Sequence, residues 1–406
     1  MTIETATADP GSTITAPVRP PAIGLTALFL KFLRFGCLAF GGPVAQIAMV
    51  REALVEREGW IDKARFNRLL AVLQVLPGPE AHELCVHLGM VARGRLGGLL
   101  AGLGFMLPGF VLMLLAAWSY TAFVAGQVVL GGALLGVQIA VLAIIARAVV
   151  RIGEHILEDR WLWAIAAAAL IATLVGVPFA ILLVAGGAVY AVAARPIWVA
   201  GTIAATIAAA MLFALVPPQP AVATGPAGAV TTVMLFVAGL KGGLLTFGGA
   251  YTAIPYVRAD TVGRGWLSDA TFLDGIALAG VLPAPLVIFA TFVGYVAGGL
   301  GGAVAITLGM FLPAFAFSLI FFERLEAIVE RPAFHRLLAG VAAAVVGIIA
   351  ATWVQIGAAT VTRVSLLPIA IALFVAALVV VWRVKGAWVV PVILGVAGVV
   401  GWVVGV

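Results

Sequence analysis

Arg34 and Lys241 each stand six residues before a phenylalanine, Phe40 or Phe247, that opens a Phe-Gly-Gly motif. Both cations lie in apolar stretches, where an ionised side chain costs at least ~2.5 kcal/mol at the centre of a membrane helix and so faces a partner, a cavity or a substrate. The adjoining breaks, Gly41-Gly42-Pro43 and Gly248-Gly249, are joined by a second pair, Pro77-Gly78-Pro79 and Pro283-Ala284-Pro285. Irregular backbone at membrane depth is tolerated only where it lines a cavity or is buried in protein. Paired interruptions of this kind point to a binding site near the midplane. Proline suits the first helical position, so Pro43, Pro79 and Pro285 are read as openings of half-helices, whose free amides and positive dipole ends attract anions. Cations and amides repeated in this way suit a small oxyanion. The plain alternatives are kinks or close packing through small residues, and cations that snorkel or sit in ion pairs.

Glu80, His82, Glu83 and His87 follow the first Pro-Gly-Pro in an apolar setting. Acidic residues in a first helical turn complement the dipole, and that is one reading. The other is proton coupling through Glu80, Glu83 or His82: a carboxylate repels an entering anion and its protonated form admits one. Glu80 has Leu286 as its counterpart in the second half, so the pseudo-symmetry is broken there. Arg51 and Arg258 align and are read as gate or membrane-surface residues. Lys31 aligns with Ala238 and is read as a snorkelling side chain. An enzyme is not expected. His82 and His87 are five residues apart, which turns them ~140° from each other on a helix, whereas a zinc protease needs ligands four apart. No phosphate-binding Gly-rich motif occurs and none of the four lysines precedes Ser or Thr, so ATP-driven pumping by this chain is not expected either. Cys37 and Cys85 have no redox or zinc spacing; no metal and no cofactor are implied.

The elements that must position these residues are helices in lipid. Of the 406 residues 64% are hydrophobic and 10% charged, and such a chain cannot have water as its main solvent. Apolar runs recur at the ~20-residue length that spans ~30 Å of hydrocarbon, without the alternation of a membrane barrel. The excess of Lys and Arg, 23 against 17 acids, is spread over short loops and is read as orientation in the bilayer rather than nucleic-acid binding.

The chain repeats itself at an offset of 204 to 207 residues: Gly59-Trp60 returns as Gly265-Trp266, Leu96-Gly97-Gly98 as Leu300-Gly301-Gly302, and Leu107-Pro108 as Leu312-Pro313. The reading is a tail over 1–21, a first half with a linking helix over 22–216, a connector over 217–228 and a second half over 229–406. Helical segments are expected near 22–40, 66–91, 96–118, 122–147, 161–176, 178–194 and 197–216, then near 229–247, 271–296, 299–322, 335–357, 364–382 and 387–405. If each broken segment crosses the membrane there are thirteen spans and the halves are inverted; if those segments are re-entrant there are eleven and the halves are parallel. Loop charge is balanced between the two. Thirteen spans with inversion are expected, in an all-α polytopic integral membrane protein of two homologous halves.

At these residues the chain resembles the chromate ion transporter family in its long, two-domain form. Phe32-Leu33-Arg34-Phe35-Gly36, Phe40-Gly41-Gly42-Pro43, Gln74-Val75-Leu76-Pro77-Gly78-Pro79 and Gly104-Phe105-Met106-Leu107-Pro108 carry the likeness in the first half, and Phe247-Gly248-Gly249 with Gly265-Trp266 in the second. The resemblance implies export of chromate from the cytoplasm across a bacterial inner membrane, driven by an ion gradient, with sulfate as a competing analogue. Gln46, where a histidine is common, Glu80 and the Pro-Ala-Pro of the second half depart from the family pattern. An anion channel or a sulfate-type importer using the same site is the alternative, with an intramembrane enzyme behind it. A homodimer is one assembly left open.

Overall fold

The computed structural model describes residues 22–40, 42–125, 127, 130–193, 195–215, 230–247, 250–321, 332–384, 386 and 388–405, with no strand among them. Four helical stretches, Glu80–Val124, Gly131–Ile156, Leu286–Ile320 and Arg336–Val361, are long and apolar enough to cross a membrane, and six shorter apolar helices accompany them. Large apolar side chains cover the outside: Val184 is 73% exposed, Ile197 80% and Val403 70%. A soluble monomer rarely exposes apolar patches on this scale; lipid is the solvent they fit.

The first half opens with α1 (Leu25–Cys37) and α2 (Gly42–Arg51), the latter extended by a π turn over Glu52–Arg57. The Lys31 ammonium pairs with the Glu58 carboxylate and lies 5.3 Å from the centre of the Trp60 ring, so the second helix returns along the first. Helix α3 (Lys63–Val75) leads to the Pro-Gly-Pro break and into α4 (Glu80–Ser119). Within α4 the chain reverses at Arg93 and Gly94; Gly94 adopts φ 62°, ψ −160°, a conformation essentially confined to glycine. The short arm (80–92) and long arm (95–119) therefore lie side by side, with Gly89 against Gly97 and Ala101. Helices α5 (Gly131–Ile156), α6 (Arg160–Leu174), α7 (Phe179–Ala191) and α8 (Pro196–Leu215) follow.

The second half repeats this build. Helix α9 (Thr232–Leu244) is followed by a return through α10 (Ile254–Thr261), with Gly242 against Val257. Helix α11 (Asp269–Val281) and the start of α12 (Phe289–Ala316) also fold back on one another: the Phe272 and Phe289 rings are 5.6 Å apart and Gly275 abuts Phe292. Gly299 turns α12 on itself at φ 62°, ψ −155°, matching Gly94. Helices α13 (Pro332–Val361), α14 (Leu367–Arg383) and α15 (Val389–Val404) complete the chain. Helix α8 has no counterpart among the described residues.

Small residues set the packing, because in lipid helix association depends on close backbone approach more than on apolar transfer. Gly36 and Gly104 seat α1 on the long arm of α4, and Gly243 and Gly309 seat α9 on that of α12. The two long arms run in opposite directions, with Gly98 beside Leu319 and Gly102 beside Phe315. Beyond them the halves interlock: α5 packs on α14 and α15, while α13 packs on α6 and α7.

One boundary differs clearly from expectation. The segment expected near 122–147 runs instead from Gly131 to Ile156, while Tyr120–Val124 continues α4 as a π turn. Arg147, Arg151 and Glu154 dilute the apolar signal at the end of α5 although its backbone stays helical. Before α6, Asp159 caps the helix by accepting from the N–H groups of Trp161 at 2.7 Å and Leu162 at 2.9 Å, and from the Tyr190 hydroxyl at 2.6 Å. Desolvation raises its pKa, but these hydrogen bonds and the Arg336 charge outweigh that and hold it below the usual 3.8. The cap is thus present at neutral pH and is lost as pH falls below 3.8 through the depressed folded value. Asp159→Ala is expected to cost about 1 kcal/mol in detergent unfolding at pH 7, with the difference from the parent vanishing at strongly acid pH; equal stability at pH 7 would rule the cap out.

Candidate substrate site

The turns of the four helical hairpins meet. The Gly78 N–H, in the first Pro-Gly-Pro, donates to the Thr246 carbonyl of the second half at 2.8 Å. Gln46 Nε2 donates to the Ala39 carbonyl at 2.8 Å and to the Ala284 carbonyl at 3.0 Å, tying the first Gly-Gly-Pro turn to the second half's Pro-Ala-Pro. Gly109 sits against Ala284 and, at the equivalent place, Gly78 against Ala314. Breaks at Phe-Gly-Gly in one half therefore face breaks at Pro-x-Pro in the other, made twice by a pseudo-twofold arrangement. Glycine is required at position 78 on two counts: φ is +150°, and a Cβ there would stand 2.4 Å from Glu83 Oε1.

The prolines open helices in a looser sense than expected. Pro43 lies in the first turn of α2, after Gly42 at φ 80°. Pro79, at ψ 98°, is the N-cap of α4, and Pro285, at ψ 134°, precedes a short 3₁₀ turn over Leu286–Ile288 and not α12 itself. Pro79 and Pro285 take an extended ψ as N-cap residues do, and their carbonyls accept the first helical bonds, from the His82 and Glu83 N–H groups and from the Ile288 N–H group. Pro77 and Pro283 flank the same turns. Gly41, Gly248, Gly249 and the Gln74 side chain lie outside the described residues.

The titratable cluster lies on the short arm of α4. Glu83 is fully buried, and neither carboxyl oxygen has a hydrogen-bond partner among the described residues. His82 is buried beside it, with its ring edge-on to Phe311 at 4.9 Å and Phe315 at 4.7 Å from α12. Glu80 is partly exposed at the start of the arm. The corresponding residues of α12's approach, Leu286, Ile288 and Phe289, are all apolar and buried. Among the described residues no three His, Cys, Asp or Glu side chains gather as a metal-binding set.

The four aligned cations are not equivalent. Lys241 pairs with Asp260 at 2.8 Å and stands 4.4 Å over the Phe179 ring. Arg258 grips Asp269 through Nε at 2.6 Å and Nη2 at 2.9 Å, and reaches Gln355 at 3.2 Å. Arg51 approaches Glu56 at 3.2 Å, both side chains being solvent-accessible, and lies 5.8 Å from the Phe66 ring centre. Arg34 is exposed, and its side chain makes no ion pair or hydrogen bond among the described residues. Arg34 and Lys241 are not brought into contact with each other. Sequence reading missed Asp260 and Asp269 as partners; their signal is that the matching first-half positions are Ala53 and Lys63.

Helical breaks from two halves, converging inside a bundle whose outer surface is apolar, define a membrane transporter. The chromate transporter family model matches residues 26–192 and 233–402, once for each half, and the chain belongs to that family. It is 56% identical to a chromate transport protein of Pseudomonas aeruginosa over 95% of this chain and 94% of that one. It is 32% identical to a chromate transport protein of Cupriavidus metallidurans, over 81% and 82% of the two chains. A probable chromate transport protein of Synechococcus elongatus is 30% identical, over 83% and 86%. No solved structure matches.

Proposed function

We propose that this protein is a secondary transporter that exports chromate, or a sulfate-like oxyanion, from the cytoplasm across a bacterial inner membrane, with its transport coupled to protons. The observation that carries the reading is the convergence of four hairpin turns from both halves, joined by the Gly78–Thr246 and Gln46–Ala284 hydrogen bonds. Such turns present first-turn amides to an anion without exposing backbone to lipid. The substrate sits among Gly42 and Pro43, Pro77 to Pro79, and Pro283 to Pro285; Gly41, Gly248, Gly249 and Gln74 are assigned to the same site by their motifs. Glu83, beside Gly78, is the coupling acid, with Glu80 and His82 on the route by which its proton comes and goes; Arg51 and Arg258 stand at the two entrances. Names of the relatives support chromate as substrate.

The halves are read as inverted across the membrane. The opposed long arms of α4 and α12 support this. Fold-back within each broken segment favours re-entrant hairpins over crossings, which leaves five spans before α9 and four after it in place of thirteen. An odd number before the second half is what inversion requires.

Chromate uptake into everted vesicles, with and without an uncoupler, tests the function. Accumulation that collapses with the proton gradient is expected. Uptake that only equilibrates would make the protein a channel, and sulfate accumulation without chromate would reassign its substrate.

A further inference from the structure

We infer that the substrate's charge is met by one half only: Arg34 binds the oxyanion, and its repeat partner Lys241 is a structural cation already paired with Asp260. This rests on the transport reading and assigns the roles within that site. The two cations occupy the same place in their hairpins, 207 residues apart, each one turn or more before the Phe-Gly-Gly break. Both hairpins return along their first helix, as the Lys31–Glu58 and Lys241–Asp260 pairs show, and the 207-residue offset that relates Arg34 to Lys241 relates Ala53 to Asp260. Residue 260 is an aspartate only 12% exposed, at 2.8 Å from a lysine that is 33% exposed. Residue 53 is alanine.

The difference is confined to this pair. One step further along the hairpin both repeat-related cations have an acid, Arg258 through Asp269 and Arg51 through Glu56, although Lys63 stands where Asp269 does. A dianion gains most from a cation whose field is not already opposed, and the Asp260 carboxylate opposes that of Lys241 from 2.8 Å while also lying 3.6 Å from Arg264. Guanidinium also suits a tetrahedral oxyanion through its forked donors, which the ammonium lacks. Lys241 has a further sign of fixed structure, its seat over Phe179, which ties α9 to α7.

Copying the second half into the first tests this without removing any existing group. Ala53→Asp supplies Arg34 with the partner that Lys241 has; Ala53→Asn supplies the same bulk without charge. In everted vesicles, Ala53→Asn should take up chromate at the parental rate and Ala53→Asp at a rate at least tenfold lower. Should Ala53→Asp fail to reach the membrane, Lys241→Gln combined with Asp260→Asn is the second measurement, and it should retain transport where Arg34→Gln loses it. If the parent transports and Ala53→Asp matches Ala53→Asn, or if the neutral Lys241–Asp260 pair loses transport while well inserted, the one-sided site is wrong. A parent that takes up no chromate would instead sink the transport reading itself.

Discussion

Glu83→Leu is expected to make the protein more stable and transport-dead. Both carboxyl oxygens of Glu83 are buried without a hydrogen-bond partner among the described residues, packed against the Gly78 turn. A buried polar group left unsatisfied costs about 1–3 kcal/mol, and no hydrogen bond from a described residue repays it here. The equivalent residue in the second half is Phe289, buried and apolar, so the fold accepts a hydrocarbon here. Leucine should therefore raise unfolding stability in detergent by about 1–3 kcal/mol. It should also bring proton-driven chromate uptake to background, since the side chain that takes and releases the proton is gone. Glu83→Gln separates the two effects, because it keeps the shape and cannot cycle a proton; it too should be inactive. A leucine variant that transports at the parental rate would remove Glu83 from the mechanism. One that is less stable than the parent would mean the carboxyl has a favourable partner in the folded state.

Gly136→Val is the substitution expected to do most damage to the fold. A Cβ at this position in α5 would stand 2.1 Å from the Ala397 carbonyl oxygen and 3.0 Å from Gly401 Cα, both backbone atoms of α15. Neither can swing aside as a side chain could, so the helices must separate. Overpacking of this kind costs about 1–3 kcal/mol or more, and the helix pair forced apart is one of those that lock the first half to the second. The expected result is loss of monodisperse protein on size exclusion after extraction from the membrane. Gly131→Ala, in the first turn of the same helix with nothing within 4 Å of its Cβ, should behave as the parent. A well-folded, active Gly136→Val protein would show that α5 and α15 do not approach through this glycine.

Much of this fold can be read from the chain because the relevant signals are local. A backbone in hydrocarbon must satisfy its own hydrogen bonds, so 64% apolar composition in long runs means helices. The repeat of Phe-Gly-Gly, Pro-x-Pro and Gly-Gly at one offset marks two halves and the places where helices stop. The family is legible for the same reason: its motifs are the helix stops themselves. Gln46 is visible in the sequence only as an oddity of the motif, and its meaning, a side chain bonded to Ala39 and Ala284 at once, depends on a partner 238 residues away.

Left to itself, then, the sequence determined solvent, helicity, twofold repetition and the positions of the breaks. Tertiary structure decided that each break is the turn of a hairpin, that turns of opposite halves bond to each other, and that α5 and α13 pack across the repeat. It also decided which cations are paired. Hydropathy and motif spacing are sums over neighbours in sequence, whereas pairing of Lys241 with Asp260, or of Gly136 with Ala397, is set by how rigid helices lie against each other once their glycines let the backbones meet.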